Sequence, residues 1–427
     1  MLIVFAKNTF AQNIGVSPYS QIGIGDLANE SYSRNVSMGG AGLASSSSFY
    51  INALNPALNI NNSTVIYEFG LVGQVKNLQT NTVKDYATAG NLNYIGLLFP
   101  VKSKYLNGKK INQWGMGIGI KPFSAVNYSN TISSPVIGDT IKTSILQKGS
   151  GGLNQVYVSN GFRINDKLSL GLNTAYLFGP ILKESIIDLA GSYVDIAQRN
   201  NVSSVWFKPG FNYKKQLGQY DSAQVSSKTF FSVAGTVDIF TGLNSSTTTE
   251  TRRVDQNDFI IRRDTLSSGS NFSSQLPIHY NLGFSFDHFG NDQAQKWSLV
   301  ADFSYADWSN YSNFGVNAGM GKAFSAKFGA EFTPTFVATK SFFNRLTYRG
   351  GFYFQHTPVV YLNNEIIDFG LTAGLALSIP RTLTNFNIGF ALGQKGTLTN
   401  NGIQEQYIKM YLGVNINDIW FFKRQLN

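Results

Sequence analysis

The chain has 427 residues with 33 Phe, 21 Tyr and 42 Gly, yet only 14% of it is charged, where an ordinary soluble domain carries about 25%. So much aromatic surface beside so little charge argues against a water-soluble globule, and the lack of cysteine excludes a disulfide framework or a thiolate metal site. The net charge of +10 is scattered rather than gathered into a basic stripe, which argues against nucleic acid as a partner and fits cations facing acidic lipid head groups.

The opening "MLIVFAKNTFAQ" (1–12) has a short apolar run and a small-residue ending, and reads either as the tail of a secretory signal or as a frayed native N-terminus. No later window approaches the roughly 18 apolar residues that a transmembrane helix needs. Residues 13–62 are aperiodic and contain "RNVSMGGAGLASSSSFYINALNPAL" (34–58). Glycine and serine let backbone approach backbone, and Asn55-Pro56 stops any helix or ladder. The stretch is expected to be a compact hatch inside a larger structure or else a disordered lead-in; Phe49, Tyr50, Ile51 and Leu54 suit the hatch.

From residue 63 a period of two takes over and continues to the end. In "KWSLVADFSYADW", Trp297, Leu299, Phe303 and Tyr305 oppose Ser298, Asp302 and Ser304. Strands are expected near 64–75, 91–101, 112–123, 153–164, 167–178, 201–214, 227–240, 277–288, 296–308, 322–334, 345–356, 365–379, 385–395 and 405–416. Long connections are expected at 76–90, 124–152, 179–200 and 241–276, between shorter turns. Hydrocarbon offers no partner to unpaired backbone groups, so amphipathic strands of about ten residues span it only as a closed sheet. The fold class expected is all-β: a transmembrane antiparallel β-barrel of about 14 strands over 63–427, with residues 13–62 as an N-terminal plug in its lumen.

"SMGGAGLASSSSFYINALNPA" followed by these segments resembles the FadL family of outer-membrane transporters for long-chain fatty acids and other hydrophobic molecules, in an uncharacterised subgroup. The resemblance implies that Gly39, Gly40, Gly42, Asn55, Pro56 and Ala57 form the hatch and contact ligand. It also implies a kinked third strand opening a lateral gate, carried over to Gly115, Gly117, Gly119 and Pro122 of "WGMGIGIKPFS". Glycines at a barrel bend and a proline at a strand's end account for the same residues. The chain departs from that family in having no recognisable fatty-acid pocket. Its lumen parity carries Asp287, Asp302, Lys327, Glu331, Arg345, Arg349 and Lys409, which either line a polar conduit or tie hatch to wall by ion pairs.

No metal, cofactor or catalytic site is expected. His279, His288 and His356 form no i, i+4 pair, the Gly-x-Gly stretches do not continue into a phosphate loop, and His279 stands too far along its strand from Ser285 and Asp287 for a triad. "RRVDQNDFIIRRD" (252–264) reads as ion-paired outer loop. The terminal "KMYLGVNINDIWFF" resembles the aromatic last strand of outer-membrane barrels.

The expected function is passive uptake of a hydrophobic small molecule through the outer membrane of a Gram-negative bacterium, in contact with membrane lipids. The alternative is an accessory or scaffold barrel docked in an outer-membrane secretion or assembly complex, resembling the PorV component of the type IX system. An open diffusion pore is the third reading.

Overall fold

The computed structural model of the chain describes residues 16–45, 47–106, 109–135, 142–189, 192–222, 225–254, 259–290, 295–313, 315–334, 342–379, 382, 384–399 and 402–418. The expected leader at 1–12 and the aromatic stretch with Trp420 and Phe422 lie outside the described residues.

Short elements come first: a 3-10 turn at Pro18–Gln21, strand β1 (Asp26–Leu27), helix α1 (Ser33–Val36) and a 3-10 turn at Pro56–Asn61. Long strands follow: β2 (Val65–Gln79), β3 (Lys84–Leu106), β4 (Lys109–Pro135), β5 (Lys142–Arg163), β6 (Leu168–Leu189), β7 (Ser192–Ser222), β8 (Val225–Phe240), β9 (Leu243–Val254), β10 (Ile260–Ser274), β11 (His279–Phe289) and β12 (Gln295–Asp307). After the small hairpin β13 (Ser312–Asn313) and β14 (Val316–Asn317) come β15 (Lys322–Phe332), β16 (Leu346–Tyr361), β17 (Asn364–Ser378), β18 (Asn385–Lys395) and β19 (Gln404–Asp418).

Neighbours along the wall pair antiparallel. β19 returns to β2, from Gln404 opposite Gln79 to Asp418 opposite Val65, and so closes the ring. β7 pairs with both β8 and β9, which are therefore one strand in two pieces; β10 pairs with β9 and β11 with β8, so they form the next. The ring has fourteen strands. A closed ladder leaves no continuous edge to meet hydrocarbon.

The alternation read in the sequence sets the two skins. Leu299, Phe303 and Tyr305 are exposed outward, whereas Ser298, Val300 and Asp302 are buried inward. The strands outrun their expected ends, so four stretches expected as loops are largely ladder. β4 and β5 extend through most of 124–152, β6 and β7 through 179–200, β2 and β3 into 76–90, and β9 and β10 occupy most of 241–276. Stretches such as "NSSTTTETRRV" in β9 are polar on both faces, so the hydropathy contrast fades while the β-branched threonines still suit a strand.

These extensions all stand on one rim, the far rim. The near rim carries the short turn between β5 and β6 and the handover into β2 at Val65. Residues 16–62 bond to inward-facing side chains on β2, β5, β12, β15 and β17, strands from all round the ring.

Candidate functional site

The N-terminal segment is held by its own turn chemistry first. Asn55 accepts from the Ala57 amide at 3.0 Å through its side-chain oxygen, and its side-chain nitrogen donates to the carbonyls of Leu43 and Phe211, both at 3.1 Å. Pro56 follows at the first position of the 3-10 turn, where a missing N–H costs nothing. Gly39, Gly40 and Gly42 have φ of +69°, +79° and +136°, a backbone that L side chains avoid. This turn presents amides outward: Gly39 donates to Thr372 Oγ1 at 2.7 Å, and Gly42 and Leu43 both donate to Asp302 Oδ2, at 2.7 and 2.9 Å.

The wall meets this segment with glycine. A Cβ on Gly161 would stand 2.5 Å from the Pro56 carbonyl oxygen, on Gly210 2.7 Å from Asn55 Oδ1, on Gly283 2.6 Å from Leu43 Cβ, and on Gly389 2.6 Å from Ser37 Oγ. Gly115, Gly171 and Gly351 lie closer still, against Asn59, Ala57 and Met38–Gly39. Seven strands thus give up a side chain where the segment passes; on β4, β5, β6 and β16 the glycine lies against the segment's backbone and leaves no room for a methyl group, and on β7, β11 and β18 it lies against the segment's side chains.

Charge ties the same parts together. Between residues 16 and 62 the only charged side chains are Asp26, Glu30 and Arg34, and each reaches the wall. Arg34 donates from Nε and Nη2 to the two oxygens of Glu331, both at 3.0 Å; Arg349 joins at 2.7 Å and reaches Asn387 at 2.8 Å. Glu30 lies 2.6 Å from Lys208 and 3.7 Å from Lys121, and Lys208 is 3.1 Å from Asp238. Asp26 meets Lys395 at 2.5 Å. Burial alone would raise the Glu30 carboxyl, but Lys208 and Lys121 hold it well below the ordinary carboxylate range. Lys395 and Lys76 likewise outweigh burial at Asp26 and keep it low.

The expected lumen charges therefore divide. Asp302, Glu331 and Arg349 engage the segment or its partners, and Asp287 accepts from Ser45 at 3.2 Å, Ser285 at 2.8 Å and Ser298 at 2.7 Å. Lys327 stands opposite Asp302 in the ladder, and Lys409 lies 4.5 Å from the Tyr407 ring. Arg345 sits in the near-rim turn before β16, over the Phe342 ring at 5.8 Å. His279 is 3.9 Å from Asp238, while Ser285 donates to Asp287, so the three triad candidates do not converge.

The third wall strand, β4, holds the residues read as a lateral gate. The β3–β4 ladder runs from Leu106 opposite Lys109 to Ile95 opposite Ile120 and there stops, although β3 extends back to Lys84 and β4 on to Pro135. Gly119 and Pro122 flank that end point; Gly115 and Gly117 lie within the paired part. Proline supplies no ladder donor, and the β4–β5 register shifts between Pro122 and Ser124. The freed edge of β4 is taken by the segment: Asp26 pairs with Ala125, Leu27 with Ser124, and the Ala28 amide donates to the Phe123 carbonyl at 2.9 Å. The freed edge of β3 turns on itself, with the Leu92 and Tyr86 amides each donating at 2.8 Å to the side chain just before them, Asn91 and Asp85. Behind the split, Tyr32 stacks on Tyr94 at 3.7 Å and its hydroxyl meets that of Tyr157 at 2.5 Å.

Between segment and wall remains a chamber of about 320 Å³ whose lining includes Asp26, Glu30, Lys208, Asp238, Lys395 and Glu405. Sequence reading missed Asp26, Glu30, Arg34 and Lys208. The signal available was the bare fact that an otherwise uncharged segment carries three charges four residues apart.

Solved structures similar to the chain include the Pseudomonas putida toluene transporter TodX (TM-score 0.55, 14% identity, 92% of this chain and 99% of that one), the Ralstonia pickettii toluene transporter TbuX (0.54, 13%, 91% and 99%) and the CymD monoaromatic hydrocarbon channel (0.54, 12%, 92% and 98%). At that identity the likeness is one of fold. The FadL resemblance thus holds for architecture, and the residues that carried it are those that seat the segment. No curated protein matches the chain. A family model described as BamG matches residues 1–427, and the chain belongs to the BamG family.

Proposed function

We propose that this chain is a sealed outer-membrane barrel of a Gram-negative bacterium, with residues 13–62 as a fixed plug and 63–427 as the wall, serving as an accessory barrel docked in an outer-membrane assembly or secretion complex. In this reading the near rim faces the periplasm and the strand extensions of the far rim stand outside the cell as docking surface. The carrying observation is the seat: glycines on seven strands lie against the plug, four of them against its backbone, and all three plug charges are ion-paired to the wall. A plug that must move for cargo gains nothing from such a fit. The chamber beside it argues the same way, because an apolar molecule entering there would displace water from charged groups without replacing its hydrogen bonds.

The second reading is passive uptake of a hydrophobic small molecule past Gly119 and Pro122 into the bilayer. It is favoured by the ladder's end at Ile95 and Ile120, and by the hydrocarbon and toluene named for its structural neighbours. Extraction in a mild detergent followed by pull-down separates the two. A protein partner in fixed stoichiometry is expected; a partner-free barrel carrying a lipid or hydrocarbon in its lumen would overturn the docked reading in favour of the second.

A further inference from the structure

The outward skin carries exposed apolar side chains on strand after strand, and between β6 and β12 it is indented. There Pro209 interrupts the β7–β8 ladder, which stops at Phe207 opposite Ile239 and resumes at Gly210 opposite Thr236. On the lipid side Gly235 presents no side chain, and the Phe211 ring leans over it, 2.6 Å from where a Cβ would stand. The result is a notch of about 610 Å³ floored by Gly235 and Val237 and walled by Phe211, Leu282, Phe303 and Tyr305. At its far-rim end Tyr280 and Tyr305 stand opposite each other in the ladder, exposed, and among the described residues neither hydroxyl bonds to protein.

We infer that this notch is a binding site for one acyl chain of a bilayer lipid, with the Tyr280 and Tyr305 hydroxyls meeting its head group; the inference rests on the reading of the chain as a membrane-spanning barrel. Residues of five strands, β6, β7, β8, β11 and β12, stand around this open groove, so a tail lying in it meets side chains on its flanks as well as its floor. The apolar lining is continuous with the lipid-facing belt, so a lipid tail reaches it without crossing water. Two phenols at the belt's upper edge suit the interfacial zone, where an aromatic ring lies among tails and its hydroxyl among head groups.

The test uses the full chain in phosphatidylcholine vesicles, with flotation to establish insertion and native mass spectrometry after mild extraction to count retained phosphatidylcholine. Gly235→Leu fills the notch; Gly73→Leu, at an outward glycine on β2 with open space around it, is the control. Retained lipid is expected to fall about tenfold in Gly235→Leu and to stay unchanged in Gly73→Leu, with both variants floating. Equal retention in Gly235→Leu and wild type would overturn the site, as would equal loss in both variants. Failure to float would instead strike the membrane reading.

Discussion

Arg34 and Glu331 hold each other through two parallel hydrogen bonds of 3.0 Å across 297 residues of sequence. Arg34 comes from the N-terminal segment and Glu331 from the wall, and Arg349 shares the carboxylate. Three buried charges then stand or fall together. Glu331→Gln would leave two guanidiniums without their anion, at a cost of about 3–5 kcal/mol for a broken buried pair. Arg34→Met leaves Glu331 its bond to Arg349 and costs less. Thermal unfolding in detergent, followed by loss of the compact band in unheated gels, is expected to rank wild type, Arg34→Met and Glu331→Gln in that order of falling stability. The reverse order of the two variants would mean that the cluster does not bind plug to wall.

The seat makes a steric prediction. Gly171→Ala would drive a methyl group into the Ala57 backbone, where no side chain can rotate away. Overpacking of that kind costs about 1–3 kcal/mol, and its relief lies in lifting the plug rather than breaking the barrel. The expected result is a barrel that still floats but conducts ions in planar bilayers, whereas wild type and Gly73→Ala stay closed. A silent Gly171→Ala channel would show that the plug tolerates displacement at Pro56–Ala57.

The wall was legible in the sequence, and its filling much less so. Period-two alternation is a property of every belt-level strand, so Leu299, Phe303 and Tyr305 against Ser298 and Asp302 announced both skins. Beyond the belt both faces meet water, and β9 lost its signature although its ladder to β7 is regular. The N-terminal segment has no period, so its glycine turn and Asn-Pro-Ala stop could be recognised as punctuation, but not which wall glycine each would meet. Those contacts join residues hundreds of positions apart, as Ser37 with Gly389, and no local pattern encodes them. Gly119 and Pro122 were visible as breakers; that β1 of the N-terminal segment occupies the edge they free was not.

That occupied edge can be locked. Leu27 and Ser124 are directly opposed antiparallel partners, at a spacing that a disulfide accepts, and the chain has no native cysteine to compete. Leu27→Cys with Ser124→Cys, oxidised, is expected to leave partner recovery in the pull-down unchanged. Under the uptake reading the same lock would abolish entry of a fluorescent fatty-acid analogue into proteoliposomes, restored by reductant. Reductant-dependent uptake would therefore promote the second reading over the first.

Acid should loosen the plug from the Glu30 side. The carboxyls of Glu30 and Asp26 are held below their ordinary values by Lys208 and Lys121, and by Lys395 and Lys76. A depressed folded-state pKa means that protonation is harder in the seated plug than in a released one. The stabilisation is therefore complete above the ordinary carboxylate range, about pH 4, and is lost as pH falls through the lower folded values. Conductance in planar bilayers is expected to stay near zero from pH 7 to about pH 4 and to rise below that. Lys208→Met leaves Glu30 only the Lys121 contact at 3.7 Å, so its onset should move to higher pH. Asp238 loses its partner in the same variant, which makes Glu30→Gln the necessary companion: with no carboxyl left to titrate at that position, its conductance should change less steeply with pH than wild type. A wild-type barrel that stays as closed as at pH 7 down to pH values below these depressed folded-state carboxylate values would remove these ion pairs as the plug's fastening.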